Sequence, residues 1–353
     1  MPAIPEATFC RCQPLARGPG CRFLLGRVLG VWLVAASCAL PAATLPEEEL
    51  VMPAPAALCP EATSLATARI TPDIFSVSTR SLPDIGCMPN SAHVAVEKLG
   101  DNRRWQRSDL PSLLENPTQP LLLFVHGDRY DHGSALQQGM FLASRAAACY
   151  PTAPPFRTVV FSWPSSKQGI LLCDTRKKYE RSMSEGHYLA WLLGQVEPQR
   201  PVALIGYSYG ALITLEALNH LVDAHRTGRH DVQPWPGRTG RVQVIFIAAA
   251  VRQDAFAPRG AYRNALTCID RLTLLNNSRD KALRFFEYVD RSMTADALGH
   301  VGMPSRWIPA GTEFLQLDAT NVVGKDHRLL PYLEAPALAR RICTGAVEGL
   351  STP

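Results

Sequence analysis

Short, nearly continuous apolar runs dominate the pattern of this chain. Gln119–Val125, Arg157–Trp163, the stretch from Pro201 to Gly206, Arg241–Ile247 and Asp270–Asn276 each carry one, and Glu313–Leu317 is a weaker sixth. Runs of this length without strict polar alternation predict strands covered on both faces. Helical spacing fills the intervals. It is expected over roughly 135–148, over 179–193 with Tyr188, Trp191 and Leu192 on one face, over 211–221, and again after residue 327. Strands alternating with helices predict an α/β fold, a mostly parallel central sheet with helices on both faces.

Ahead of these runs, Asp73–Thr79 and His93–Glu97 read as two short strands that pad the edge of the sheet. Ser108–Glu115 reads as a short capped helix with Pro111 in its first turn. Residues 223–240, rich in His, Arg, Gly and Pro, are expected as an exposed polar loop. No internal repeat is visible. Residues 44–69 are Pro-, Ala- and Glu-rich and read as a linker, which leaves 70–345 for the domain.

Composition changes this picture mainly at the N-terminus. The chain has 353 residues, is 46% hydrophobic and carries a formal charge of +5. Residues 1–43 hold Arg11, Arg17, Arg22 and Arg27 against Glu6 alone, so the remainder carries only +2. No basic stripe interleaved with aromatics stands out, and nucleic acid is not an expected partner. Arginines before the apolar run Val28–Ala36, with small residues up to Ala43, read as an export signal; an uncleaved anchor and membrane association through this segment is the other reading. Six cysteines follow it, Cys59, Cys87, Cys149, Cys173, Cys268 and Cys343. An even number in an exported chain permits disulfides, with Cys59–Cys87 expected first, in the loop-rich N-terminal part. None has C-x-x-C spacing, so no metal site is expected.

The candidate chemistry centres on Gly206-Tyr207-Ser208-Tyr209-Gly210, between an apolar strand and a helix. A G-x-S-x-G turn in that setting lifts a serine hydroxyl clear of the sheet. Gly206 and Gly210 suit a turn where strand and helix backbones come close. The N–H of Tyr209 would then face a developing oxyanion. A serine nucleophile needs a base, and the base an orienting acid. Asp254, Asp280 and Asp318 end or follow later strands, and Asp280 is equally placed to cap a helix from Lys281. Asp254 is the alternative acid. His327, in a loop after the last expected strand, and His300 are the downstream histidines. His126 is expected to brace its own loop by hydrogen bonds.

In order along the chain, VHG at 125–127, FSWPS at 161–165, GYSYG at 206–210, LLNNSRD at 274–280, ALGHVG at 297–302 and VGKDH at 323–327 resemble the α/β-hydrolase superfamily. The likeness is to a branch of exported bacterial serine hydrolases. It covers about residues 70–340. It implies a triad of Ser208, Asp280 and His327, and an oxyanion hole from the N–H groups of Tyr209 and Asp128. It also implies an esterase- or lipase-like activity on a small-molecule or lipid acyl substrate, with no cofactor. The Asp128 carboxylate would repel an oxyanion unless it turns away or pairs with Arg129. Residues 163–180 and 294–308 are expected to line the pocket in part. A reading from another class is a non-catalytic module of the same fold that binds a partner at the cell envelope.

Overall fold

The structure is a computed structural model that describes residues 73–149, 155–169, 171–290 and 295–350. The expected signal, linker and Cys59 lie outside these residues. In chain order the elements are β1 (Asp73–Ser78), β2 (Ala95–Leu99), β3 (Trp105–Ser108), α1 (Leu110–Leu114), β4 (Leu121–Val125), α2 (His132–Cys149), β5 (Arg157–Ser162), α3 (Leu171–Leu193), β6 (Val202–Tyr207) and α4 (Tyr209–Arg226). They continue with β7 (Val242–Ile247), β8 (Arg271–Asn276), α5 (Phe286–Asp290), α6 (Leu298–Val301), β9 (Glu313–Asp318), α7 (Thr320–Val323), α8 (Leu330–Glu334) and α9 (Pro336–Val347).

The strands form one sheet in the order β3-β2-β1-β5-β4-β6-β7-β8-β9. Only the β1–β2 and β2–β3 pairings are antiparallel. Every residue of β4, β5, β6 and β7 is buried, which is why these strands read as nearly continuous apolar runs. Each fully buried Leu, Ile, Val or Phe side chain in them contributes about 1.5–3 kcal/mol. Val160 of β5, Phe124 of β4, Ile205 of β6, Ile245 of β7 and Thr273 of β8 share one register row. Helix α2 meets that row at Val160 through Gly139, and α9 meets it at Ile245 and Thr273 through Gly345. The helix α3 packs along α4.

Chain order sets the functional edge. From β4 the chain steps to β5 on one side, then returns to β6 on the other. Loops leaving the carboxyl ends of β4 and β6 therefore diverge, and the crevice between them is where open parallel sheets place ligands.

Three local expectations need correcting. The pair β1–β2 is not the edge of the sheet. β1 lies between β2 and β5, and a third strand, β3, closes that side. Its sequence, Trp-Gln-Arg-Ser, is polar and half exposed, so it carries no apolar run. Helix α3 begins at Leu171, well before Tyr179. Residues 223–240 are not simply an exposed loop. Helix α4 continues to Arg226, and Trp235 is fully buried with its indole N–H donating to Leu193 O at 3.1 Å. A single aromatic in a polar stretch was the only sign of this anchor.

Candidate active site

Strand β6 ends at Tyr207 and α4 starts at Tyr209, so Ser208 alone makes the turn. Its backbone sits at φ 54°, ψ −119°, a region L residues rarely enter. The strain is held by three backbone hydrogen bonds. Ser208 N–H donates to Ile247 O at 3.0 Å, and Ser208 O accepts from Ala211 N–H at 3.1 Å and Ala250 N–H at 3.2 Å. The flanking glycines are sterically required. A Cβ on Gly210 would stand 1.9 Å from Val125 O, and one on Gly206 2.7 Å from Ala211 Cα.

The loop after α7 brings His327 onto this serine. Ser208 Oγ–H donates to His327 Nε2 at 3.0 Å, and His327 Nδ1–H donates to Asp280 Oδ2 at 2.7 Å. A carboxylate can only accept, which fixes the proton on Nδ1 and leaves Nε2 free to take one. Asp280 is fully buried and divides its oxygens. Oδ2 faces the histidine, while Oδ1 accepts from Ala282 N–H at 2.8 Å and Leu283 N–H at 3.0 Å. Both arrangements open to it in the sequence, contact with the histidine and capping of the next turn, are thus present together.

Asp254 is elsewhere. Both its oxygens bind the Arg252 guanidinium at 3.0 Å, a bidentate pairing that holds its pKa below the ordinary carboxylate value. Asp318 lies at the end of β9, where its Oδ1 accepts from Thr320 N–H at 2.9 Å. His300 Nε2–H donates to Ser278 O at 2.8 Å, so it braces the loop that carries Asp280. His126 is fully buried; burial pushes its pKa down to about 3, and it stays neutral. Its Nδ1–H donates to Gly127 O at 2.9 Å and its Nε2 accepts from Trp163 N–H at 3.2 Å.

The turn after β4 completes the surroundings of Ser208. Gly127 packs so closely on it that a Cβ there would lie 2.8 Å from Ser208 Cβ. Asp128 follows. Tyr209 opens α4, so its N–H has no carbonyl one turn back to bond. The Asp128 carboxylate does not pair with the Arg129 guanidinium as one of the expected escapes required. Its Oδ1 accepts from Arg129 N–H at 2.8 Å and lies 3.8 Å from Lys178 Nζ. Burial pushes its pKa up, with Lys178 pulling the other way. The 163–180 segment flanks this turn: Ser165 O accepts from Arg129 N–H at 2.8 Å, and Thr175 O from Tyr209 Oη–H at 3.3 Å.

Sequence reasoning missed three residues that shape the site. Tyr207 Oη–H donates to His327 O at 2.6 Å, and burial keeps that hydroxyl protonated. Asn277 Nδ2–H donates to Gly324 O at 2.8 Å, tying the His327 loop to the Asp280 loop. Lys178 reaches the Asp128 turn from α3. The first two stood within motifs singled out for other reasons, and nothing in the sequence pointed to their acceptors. Among the described residues no cluster of His, Cys, Asp or Glu could hold a metal ion, and no helix is long and apolar enough to cross a membrane.

A nine-stranded, mostly parallel sheet with a strained serine turn between strand and helix defines an α/β hydrolase. Residues 103–329 match the α/β hydrolases of unknown function termed DUF900, and the chain belongs to that family. No curated protein matches the sequence. Among solved structures it is similar to a cutinase-like protein from Cryptococcus sp., at 16% identity over 66% of this chain and 95% of that one, with a TM-score of 0.32. It is also similar to the catalytic core domain of acetyl xylan esterase from Trichoderma reesei, at 12% identity over 65% of this chain and 96% of that one, with a TM-score of 0.34.

Proposed function

We propose that this α/β hydrolase is a serine hydrolase that cleaves acyl esters of a small molecule or lipid. The observation that carries the reading is the relay from Ser208 Oγ through His327 to the buried Asp280, at 3.0 and 2.7 Å. In this reading His327 Nε2 takes the serine proton as Oγ attacks the acyl carbonyl, and later delivers it to the leaving group. Asp280 holds the imidazole in the required tautomer and stabilises the imidazolium. The N–H groups of Tyr209 and Asp128 receive the oxyanion.

A fluorophosphonate probe tests the reading, because only an activated serine reacts quickly. The expected result is a single adduct on Ser208, located by peptide mass spectrometry. Folded protein that stays unlabelled and inert on short-chain esters would return the chain to the binding-module class.

Export belongs to the same proposal. It is motivated by the arginine-flanked apolar run before Ala43, and Cys87 is disulfide-bonded, as suits an oxidising compartment. The mature chain is expected to begin near Ala43 or Thr44. N-terminal sequencing that finds Met1 on the cytoplasmic protein, with none exported, would remove this part.

A further inference from the structure

Lys178 is a lysine that the reaction as described does not use, yet its side chain is only 5% exposed. Removing an ammonium from water is costly unless its charge and its protons are all matched. Two of its protons are matched by Ser166 O at 2.5 Å and Asp174 Oδ1 at 2.8 Å, and Asp128 Oδ1, 3.8 Å away, adds a longer ion pair. Each oxygen belongs to a different piece of the crevice wall. Ser166 lies in the segment after β5, Asp174 in the first turn of α3, and Asp128 in the turn after β4. Asp174 is itself buried and accepts from Gln168 N–H at 2.9 Å, which closes the segment on α3.

Asp128 creates the problem that this arrangement answers. It supplies one of the two N–H groups proposed for the oxyanion, yet its carboxylate, only 13% exposed, lies beside that site. An uncompensated negative charge there would oppose the charge that forms on the acyl oxygen. We infer that Lys178 is a positioning residue of the oxyanion hole: anchored on Asp174, it holds the Asp128 turn beside Ser208 and offsets part of the charge that Asp128 brings there. The inference rests on the serine-hydrolase reading above and adds a residue to it.

A double-mutant cycle on ester hydrolysis tests it. K178Q keeps two N–H donors for Ser166 O and Asp174 but removes the charge; K178M removes both. In the wild-type background K178Q is expected to lower kcat about 10²-fold, at the low end of the cost of losing an oxyanion donor. In the D128N background the same change is expected to cost less than about tenfold, because the carboxylate beside the oxyanion is gone and only the pairing with Asp174 is lost. The pH dependence supplies a readout that simple loss of packing would not move. The charged and titratable groups that face Asp128 are Lys178 and Asp174 on α3, the neighbouring Arg129, and Tyr209 on α4, whose hydroxyl burial keeps protonated. With Lys178 replaced, the ratio of K178Q to wild-type kcat should fall as pH rises and Asp128 ionises, and this fall should be absent in K178Q/D128N.

Circular dichroism establishes that each variant is folded, and K178Q carries the test if K178M does not fold. Equal losses in both backgrounds, with a flat pH ratio, would make Lys178 a structural residue and overturn the inference alone. Wild-type protein that neither hydrolyses esters nor takes the probe would overturn the serine-hydrolase reading, and the inference with it.

Discussion

Replacing Ser208 by alanine is expected to lower kcat on any ester that the wild type cleaves by about 10⁶-fold, the loss found when a triad serine is removed. That corresponds to about 8 kcal/mol of barrier. The expectation follows from how the turn is built. The φ of 54° is imposed by backbone hydrogen bonds to Ile247, Ala211 and Ala250 and by contact with Gly127, none of which involves the hydroxyl. Alanine can occupy the same backbone at similar strain, so the variant loses the nucleophile and its bond to His327 while the elbow persists. The thermal midpoint should therefore move by only a few degrees. Rates measured beside the wild type, with fluorophosphonate labelling as a second readout, check this. Retention of wild-type activity by folded S208A would place the nucleophile elsewhere.

The second large effect is expected at Asp280. Asp280→Asn should lower kcat by about 10⁴-fold, or about 5.4 kcal/mol. The buried surroundings of the carboxylate dictate which way the new amide must face. One oxygen position is addressed by the N–H groups of Ala282 and Leu283, so the amide oxygen has to stay there. The NH₂ group is then turned toward His327 Nδ1, where it donates instead of accepting. The imidazole proton moves to Nε2, and Nε2 can no longer take a proton from Ser208. The helix cap survives the substitution, so stability should change little beside activity. Asp254→Asn breaks a half-exposed pairing with Arg252 and should alter kcat by less than about tenfold. Both variants are assayed on one ester, with circular dichroism on each. If D254N is the crippled enzyme and D280N is not, the acid has been assigned to the wrong residue.

How much of this was legible beforehand depends on the reach of each interaction. Strands β4 to β8 were readable because burial on both faces demands apolar residues at nearly every position, whereas β9, a half-exposed edge strand, gave a weaker run. The serine turn was readable because close packing of strand and helix demands glycine at both flanks, and a Cβ on Gly210 would meet Val125 O at 1.9 Å. Strand β3 was not readable, since its polar, half-exposed residues carry no pattern that separates strand from loop.

By itself the sequence determined the parallel α/β sheet, the position of Ser208 at the end of β6, and the small set of acids and histidines able to reach the same edge. These follow from local burial and local backbone geometry. Only the tertiary structure decided which members of that set meet. Asp280 and Asp254 each follow a strand, yet one faces His327 and the other faces Arg252. Tyr207, Asn277 and Lys178 likewise owe their place to contacts across the crevice, 120, 47 and 50 residues away in sequence for their bonds to His327, Gly324 and Asp128. Hydrogen bonds and ion pairs of this range leave no periodicity in the chain, because the partner is set by how strands and loops are stacked and not by the neighbours on either side.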